Sequence, residues 1–406
     1  MINLALIGTG SRGVGLARTV QGLRDEDRTE AEIMALADIN PVRLKRAGKD
    51  LDVGEEFLFE DYEKLLQVEE IDAVIVATPD RAHFGPALAG LRVGKHVYCE
   101  KVMATTIKDC TELAQAVDGA DSVFYVGHNV RFTRSARKLN ELIKSGELGQ
   151  VRMVWARRFV EGAKYWHRWH RYKKNSGGLL AHKGAHYLDQ LNWNSGSRPS
   201  KVVAFGSLDL YRGREDAPRR CRECPDKGDC PYDWDIEGGR SEKYYLRAEK
   251  EDGYIWDTCI YQPGSDVFDN ASVMVSYENG VKGTYMECHF APFHDRESEI
   301  GAVGDEGLAL ARPAGQEVLL RKRKSWSKEN REEIHFDLAD GESGGHGGAD
   351  FFILDDFLSC VGEGREPESD VEAGWDSAAV GLLAQRSAEN EGVAYEIDAH
   401  DHRVMI

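Results

Sequence analysis

Residues 2–13 read INLALIGTGSRG, an apolar run that stops on a glycine and opens into Gly8-Thr9-Gly10-Ser11-Arg12-Gly13. The run predicts a buried strand, and the helical spacing of apolar residues to about Leu23 predicts a helix straight after the turn. A G-x-G-x-x-G turn in that setting suits a dinucleotide. The first glycine permits the tight turn, the second lets backbone approach a pyrophosphate, and the third lets helix pack on strand. Unpaired N–H groups and the positive dipole end of the helix then face the phosphates. Gly8, Gly10, Ser11, Arg12 and Gly13 are candidate cofactor contacts.

Outward from that turn, a second strand over Ile33–Ala37 ends at Asp38. A carboxylate there accepts from the adenosine ribose hydroxyls and repels a 2′-phosphate, so NAD is expected ahead of NADP. Further strands are predicted at 71–77, 96–98 and 122–126, with helices from Pro41 and over Arg81–Arg92. Strand and helix in alternation give an N-terminal Rossmann fold, a doubly wound parallel sheet over 1–127. The carboxyl ends of its strands line the ligand crevice, which adds Thr78, Pro79 and His83 as cofactor-side candidates.

Past Gly127 the pattern changes. Helices are expected at 132–145, 348–361 and 371–391, and strands at 151–160, 201–207, 271–277, 281–290, 297–303 and 316–322. Alternating ASVMVSY (271–277), followed by Glu278-Asn279-Gly280, predicts a strand entering a hairpin. Residues 128–406 thus read as an α/β substrate domain with an open, mainly antiparallel sheet. The uncovered face of that sheet calls for a second copy of the chain, a homo-oligomer. A polar, cysteine-bearing stretch at 209–257 reads as an insertion.

Composition narrows the partners. The 406 residues are 41% hydrophobic and 30% charged, with a formal net charge of −18. That balance argues against nucleic acid or an anionic membrane as a partner. No apolar run reaches bilayer length and no secretory pattern precedes the first strand, so a cytoplasmic location is the expectation.

Cys99-Glu100-Lys101 follows the fourth strand and resembles the Glu-Lys-Pro signature of the Gfo/Idh/MocA oxidoreductases. ATPDRAHF (77–84), VGHNVRF (126–132), SGGLLAHKGAHYLD (176–189) and GGHGGAD (344–350) extend the resemblance along nearly the whole chain. It implies hydride transfer at a hydroxyl carbon of a sugar, polyol or glycoside. It also implies that Glu100 and Lys101 stand beside cofactor and substrate, with His186 on the later helix motif. Val102 replaces the signature proline, and His182-Lys183 stand where aspartate opens that motif. The H-K-x-x-H variant, with a cysteine insertion beside it, resembles a subgroup of that family.

His186 is the candidate base, because an imidazole titrates near working pH. Lys101 donates to the same oxygen and stabilises developing alkoxide charge. His182, four residues before His186, shares its helical face and is a candidate to orient substrate or share the proton. The same spacing also admits a zinc reading with Asp189 as third ligand, although Lys183 places a cation there. Just upstream, Tyr165-Trp166-His167-Arg168 offers aromatic faces beside donors, which suits a sugar ring, or a carboxylate or phosphate on arginine. Tyr165, His167, Arg168, Lys183, Asn129 and Arg131 complete the substrate candidates, with His346 as a further contact. Cys221, Cys224, Cys230 and Cys259 form a candidate structural zinc set; reduced thiols are the plain alternative.

Three functions compete. One is an NAD-dependent dehydrogenase of CH–OH groups. The second is a glycoside hydrolase or lyase that keeps its NAD and cycles through oxidation, elimination and reduction. The third is a non-catalytic cofactor-binding protein.

Overall fold

The computed structural model describes residues 1–292, 298–313, 316–323, 331–338 and 348–405. Six strands form the first sheet: β1 (Ile2–Ile7), β2 (Ala31–Ala37), β3 (Leu58–Phe59), β4 (Ala73–Val76), β5 (His96–Cys99) and β6 (Phe124–Val126). Their order is β3-β2-β1-β4-β5-β6 and every pairing is parallel. The order reverses between β1 and β4, which is the switch point that opens a ligand crevice at the strands' carboxyl ends. Buried aliphatic runs such as Ala73–Val76 form these strands because both faces are covered by helices. The helix Pro41–Leu51 starts where it does because proline occupies its first turn and the Asn40 side chain accepts from the Val42 and Arg43 N–H groups.

The second sheet has ten strands: β7 (Val151–Phe159), β8 (Pro199–Ser207), β9 (Asn270–Tyr277), β10 (Lys282–Cys288), β11 (Glu299–Gly304), β12 (Gly307–Arg312), β13 (Glu317–Arg323), β14 (Arg331–Asp337), β15 (Tyr395–Asp398) and β16 (Arg403–Met405). Only the central β7–β10 pair is parallel; the other pairings are antiparallel. The expected hairpin joins β9 to β10, with Gly280 at φ +84 in the turn. Strand β9 alternates between buried and exposed residues along its length, as its sequence predicts. Helices Gly184–Ser195 and Val371–Glu389 pack on one face of the sheet. On the other face Met153, Phe205 and Met274 stand 49%, 63% and 58% exposed.

Short strands β3, β12, β14, β15 and β16 go beyond the expected set. A larger difference concerns the helix Ala349–Glu363. Its Ala349, Ile353, Leu354 and Phe357 join Leu4, Leu6, Val14 and Ala17 in one buried cluster. The chain thus returns to the first sheet after laying down eight of the second sheet's ten strands, and carries Asp350 to the dinucleotide turn. The insertion holds only short pieces: Cys221–Glu223, Gly239–Ser241, the π-turn Glu242–Leu246 and Glu249–Asp252. Among the described residues no helix is long and apolar enough to cross a membrane.

Candidate active site

The glycine turn has the geometry its sequence requires. Gly8 sits at φ +97, and a Cβ there would lie 2.8 Å from the Ala77 carbonyl carbon. At Gly13 a Cβ would lie 2.1 Å from the Gly8 oxygen. At Gly10 its nearest neighbour is the Tyr245 hydroxyl, 3.1 Å away, so on this side the turn is closed by a side chain of the insertion. That hydroxyl accepts from the Ser11 N–H at 2.9 Å, the donor a pyrophosphate would use. The Thr78 hydroxyl, past the end of β4, is buried and has no hydrogen-bond partner. The turn and this orphaned hydroxyl fit a dinucleotide.

At the ribose end Asp38 accepts from the Thr9 N–H at 2.9 Å, the Asn40 N–H at 2.9 Å, and Arg43 at 3.0 and 2.9 Å. Arg43 also reaches Asp252 of the insertion at 3.2 Å, and Asn40 donates to the same carboxylate at 2.8 Å. Burial disfavours the Arg43 cation, but Asp38 and Asp252 outweigh it and its pKa is raised. Arg12 bridges Glu100 and Asp350, each at 2.6 Å. His83 spans the Val102 carbonyl at 2.7 Å and the Thr78 carbonyl at 2.8 Å. It therefore holds two crevice loops together, and both ring nitrogens are taken up in doing so. Pro79 follows Thr78 in the first of those loops.

Beyond β5 lies a buried polar cluster. Lys101 donates to the His182 carbonyl at 2.9 Å. His182 Nδ1 meets Asp80 at 2.5 Å, while its Nε2 is buried without a partner. Burial drives both members toward their neutral forms: Asp80 rises to about 8 and His182 falls well below its ordinary value. The His170 ring lies 4.6 Å from His182 and stacks on Trp169 at 3.8 Å. Tyr165 packs edge-on to His170 and His182, with the Lys183 ammonium 4.9 Å from its ring centre. Burial alone would raise the Tyr165 phenol; Lys183, Arg158 and Lys164 instead bring it down to about 7. Lys183 itself is lowered to about 8, by burial first. His186 is buried on the helix that begins at Gly184.

Several expectations need correction. His182 and His186 do not share one helix: the chain breaks at Lys183 between Leu179–His182 and Gly184–Ser195. Both histidines still reach the cluster. Arg131 points away from it and forms a two-pronged buried pair with Asp189 at 2.8 and 2.6 Å, which also occupies the carboxylate of the His182/His186/Asp189 zinc reading. Asn129 donates to Asp350 at 2.8 Å and so supports the cofactor side. His167 turns toward the insertion, with Nδ1 2.8 Å from the Thr258 carbonyl and 3.8 Å from Cys221 Sγ. Cys221, Cys224, Cys230 and Cys259 do converge with it on one cavity of about 20 Å³, all as free thiols. Among the described residues no three metal-binding side chains are gathered to hold an ion, so the expected zinc is not supported. His346 lies outside the described residues.

Sequence reasoning missed Asp80, Arg43, Tyr245 and Asp252. Asp80 was detectable, since it follows Thr78-Pro79 at the carboxyl end of a parallel strand. Arg43 was less so, and Tyr245 and Asp252 carry no local signal: they reach the crevice only because the insertion folds back across it.

A Rossmann crevice joined to a mixed sheet, with a buried lysine–histidine–carboxylate cluster at the junction, defines a two-domain nucleotide-dependent oxidoreductase. The chain belongs to the Gfo/Idh/MocA family: residues 2–128 match its NAD-binding Rossmann fold, and residues 140–397 match the oxidoreductase family's C-terminal alpha/beta domain. It is 27% identical to putative oxidoreductase YteT of Bacillus subtilis, over 94% of each chain. Identity to the 2,7-anhydro-N-acetylneuraminate hydratase of Mediterraneibacter gnavus is 30%, over 52% of this chain and 54%, about half, of that relative. The fold matches levoglucosan dehydrogenase in complex with NADH and levoglucosan at a TM-score of 0.77 and 17% identity, over 98% of this chain and 99% of that one.

Proposed function

We propose that this protein oxidises or reduces a hydroxyl carbon of a sugar or polyol with NAD. The observation that carries the reading is Lys101, buried at the mouth of the crevice and fixed by the His182 carbonyl at 2.9 Å. NAD, when bound, supplies the hydride acceptor. In the oxidising direction the carbinol C–H leaves as hydride and the hydroxyl proton passes to His186. Lys101 donates to the oxygen and stabilises its developing negative charge. Asp80 and His182 position Lys101 through the His182 backbone. The levoglucosan dehydrogenase fold and family membership support this reading. It is tested by 340 nm absorbance across a sugar and polyol panel: NADH release that Lys101→Met abolishes supports it, and no release in any pairing sinks it.

NAD is favoured over NADP because Asp38 and Asp252, which share Arg43 between them, would set two carboxylates against a 2′-phosphate. A homo-oligomer through the open face of the second sheet is part of the proposal, supported by the exposed Met153, Phe205 and Met274. Light scattering that reports a monomer at micromolar concentration would remove it.

One observation favours a second reading, a redox-neutral lyase or hydrolase. Tyr165 at about 7 and Lys183 at about 8, its ammonium 4.9 Å from the Tyr165 ring, form a further proton-transfer pair, which elimination at a neighbouring carbon needs. The hydratase relative fits this chemistry. Product formation without net NADH, from protein that retains NAD through purification, separates it from a simple dehydrogenase.

A further inference from the structure

Arg168 is the least explained cation of the site. Its guanidinium carbon lies 4.1 Å over the Trp256 ring and 4.9 Å from the Trp234 ring centre. Its Nε is shut off from solvent with no hydrogen-bond partner, and among the described residues its guanidinium forms no ion pair. Arg168 is half-buried, with its Nε shut off from solvent; an arginine so placed without a carboxylate is costly, and proteins keep one where a ligand supplies the anion.

The neighbours do not correct the imbalance. His170 is flanked by Arg168, Lys183, Lys101 and Lys164, cations without exception. The nearby acids are engaged elsewhere. Glu100 pairs with Arg12 at 2.6 Å, Glu287 accepts from the Tyr285 hydroxyl at 2.8 Å, and Asp80 meets His182 at 2.5 Å. In a chain of net charge −18, a surplus of positive charge gathered around one buried histidine is a local design.

We infer that the substrate is an acidic sugar whose carboxylate seats on Arg168 between Trp234 and Trp256, with the ammonium of Lys183 on the same side of the site. The inference rests on the sugar-oxidoreductase reading above and narrows it. Arginine suits this task because its planar fork matches a carboxylate and its faces stack on indole. Trp256 also stacks on Tyr245 at 3.5 Å, and Tyr245 touches the dinucleotide turn. The cofactor's pyrophosphate is therefore the other anion that Arg168 could serve, and the test separates the two.

The experiment uses the full-length protein saturated with NAD and follows tryptophan fluorescence. Its probes are sugar pairs that differ only at C6: methyl glucoside against methyl glucosiduronate, and methyl galactoside against methyl galactosiduronate. We expect a uronate to bind about 100-fold more tightly than its neutral partner. Arg168→Gln should erase that preference, Arg168→Lys should keep part of it, and the Kd for NAD should move less than about threefold in both. Equal binding of acid and neutral sugars, or no binding of either, overturns the inference. A large loss of NAD affinity in Arg168→Gln assigns the arginine to the pyrophosphate and overturns it too. Uronate binding that never yields NADH leaves this inference standing and counts against the dehydrogenase reading instead.

Discussion

The two ends of the crevice handle charge in opposite ways. At the dinucleotide end each arginine is matched: Arg12 by Glu100 and Asp350, Arg43 by Asp38 and Asp252. At the other end Lys101, Lys183 and Arg168 all act on the buried His170, while Asp80 is neutralised and Glu100 is engaged by Arg12. A matched end binds a ligand through backbone N–H groups and shape, and its side chains hold the walls in place. An unmatched end waits for charge from the ligand or from the reaction. The difference teaches where chemistry happens: developing negative charge on a substrate oxygen is stabilised where cations lack partners.

The sharpest way to break this contrast is at Lys101. Lys101→Met should lower kcat by about a thousandfold, with NAD affinity nearly unchanged. A similar loss in NAD affinity would place the lysine at the matched end. Next in size is a purely structural control. Arg131→Met strands the buried Asp189 carboxylate and should cost about 3–5 kcal/mol in urea unfolding. A stable Arg131→Met protein with altered substrate KM would restore Arg131 as a substrate contact.

Proton handling gives an intermediate effect. Because cations hold Tyr165 at about 7, its phenolate is populated above that pH and its phenol below. If the redox-neutral reading holds, kcat for elimination should therefore rise roughly tenfold as pH climbs through 7, and Tyr165→Phe should flatten the profile. An unchanged profile would leave proton transfer to His186 alone. The smallest effect tests the matched end. Asp252→Asn keeps an acceptor for Asn40 but frees Arg43 of one carboxylate, so NADP affinity should gain about tenfold relative to NAD. No change in that ratio would confine selectivity to Asp38.

Legibility follows the same division. The glycine turn, Asp38 and Thr78 could be proposed from the residues alone because each lies within a few residues of a strand end, whereas the Glu100-Lys101 step was singled out by its resemblance to a family signature. In a parallel sheet, strand ends are where the crevice is. His186 and Lys183 were found through the motif that carries them, yet the break at Lys183 was not, since i, i+4 spacing looks the same on one helix or two. Arg131 and Asn129 were expected from their sequence position to contact substrate. Their side chains turn to Asp189 and Asp350, carboxylates 58 and 221 residues away. The four cysteines meet as their spacing suggests, and no metal-holding geometry comes with the meeting.

Sequence by itself determined the parallel sheet and the dinucleotide turn, because strand periodicity and glycine sterics are local properties of the chain; the type of chemistry came from the resemblance of its motifs to a family. Only the tertiary structure decided which charges are matched. Tyr245 and Asp252 reach the cofactor crevice and Asp350 reaches Arg12 through packing between segments hundreds of residues apart, and Arg168 is left without a carboxylate among rings contributed by the insertion. Desolvation and Coulomb forces act on distance in space, and chain order does not encode that distance.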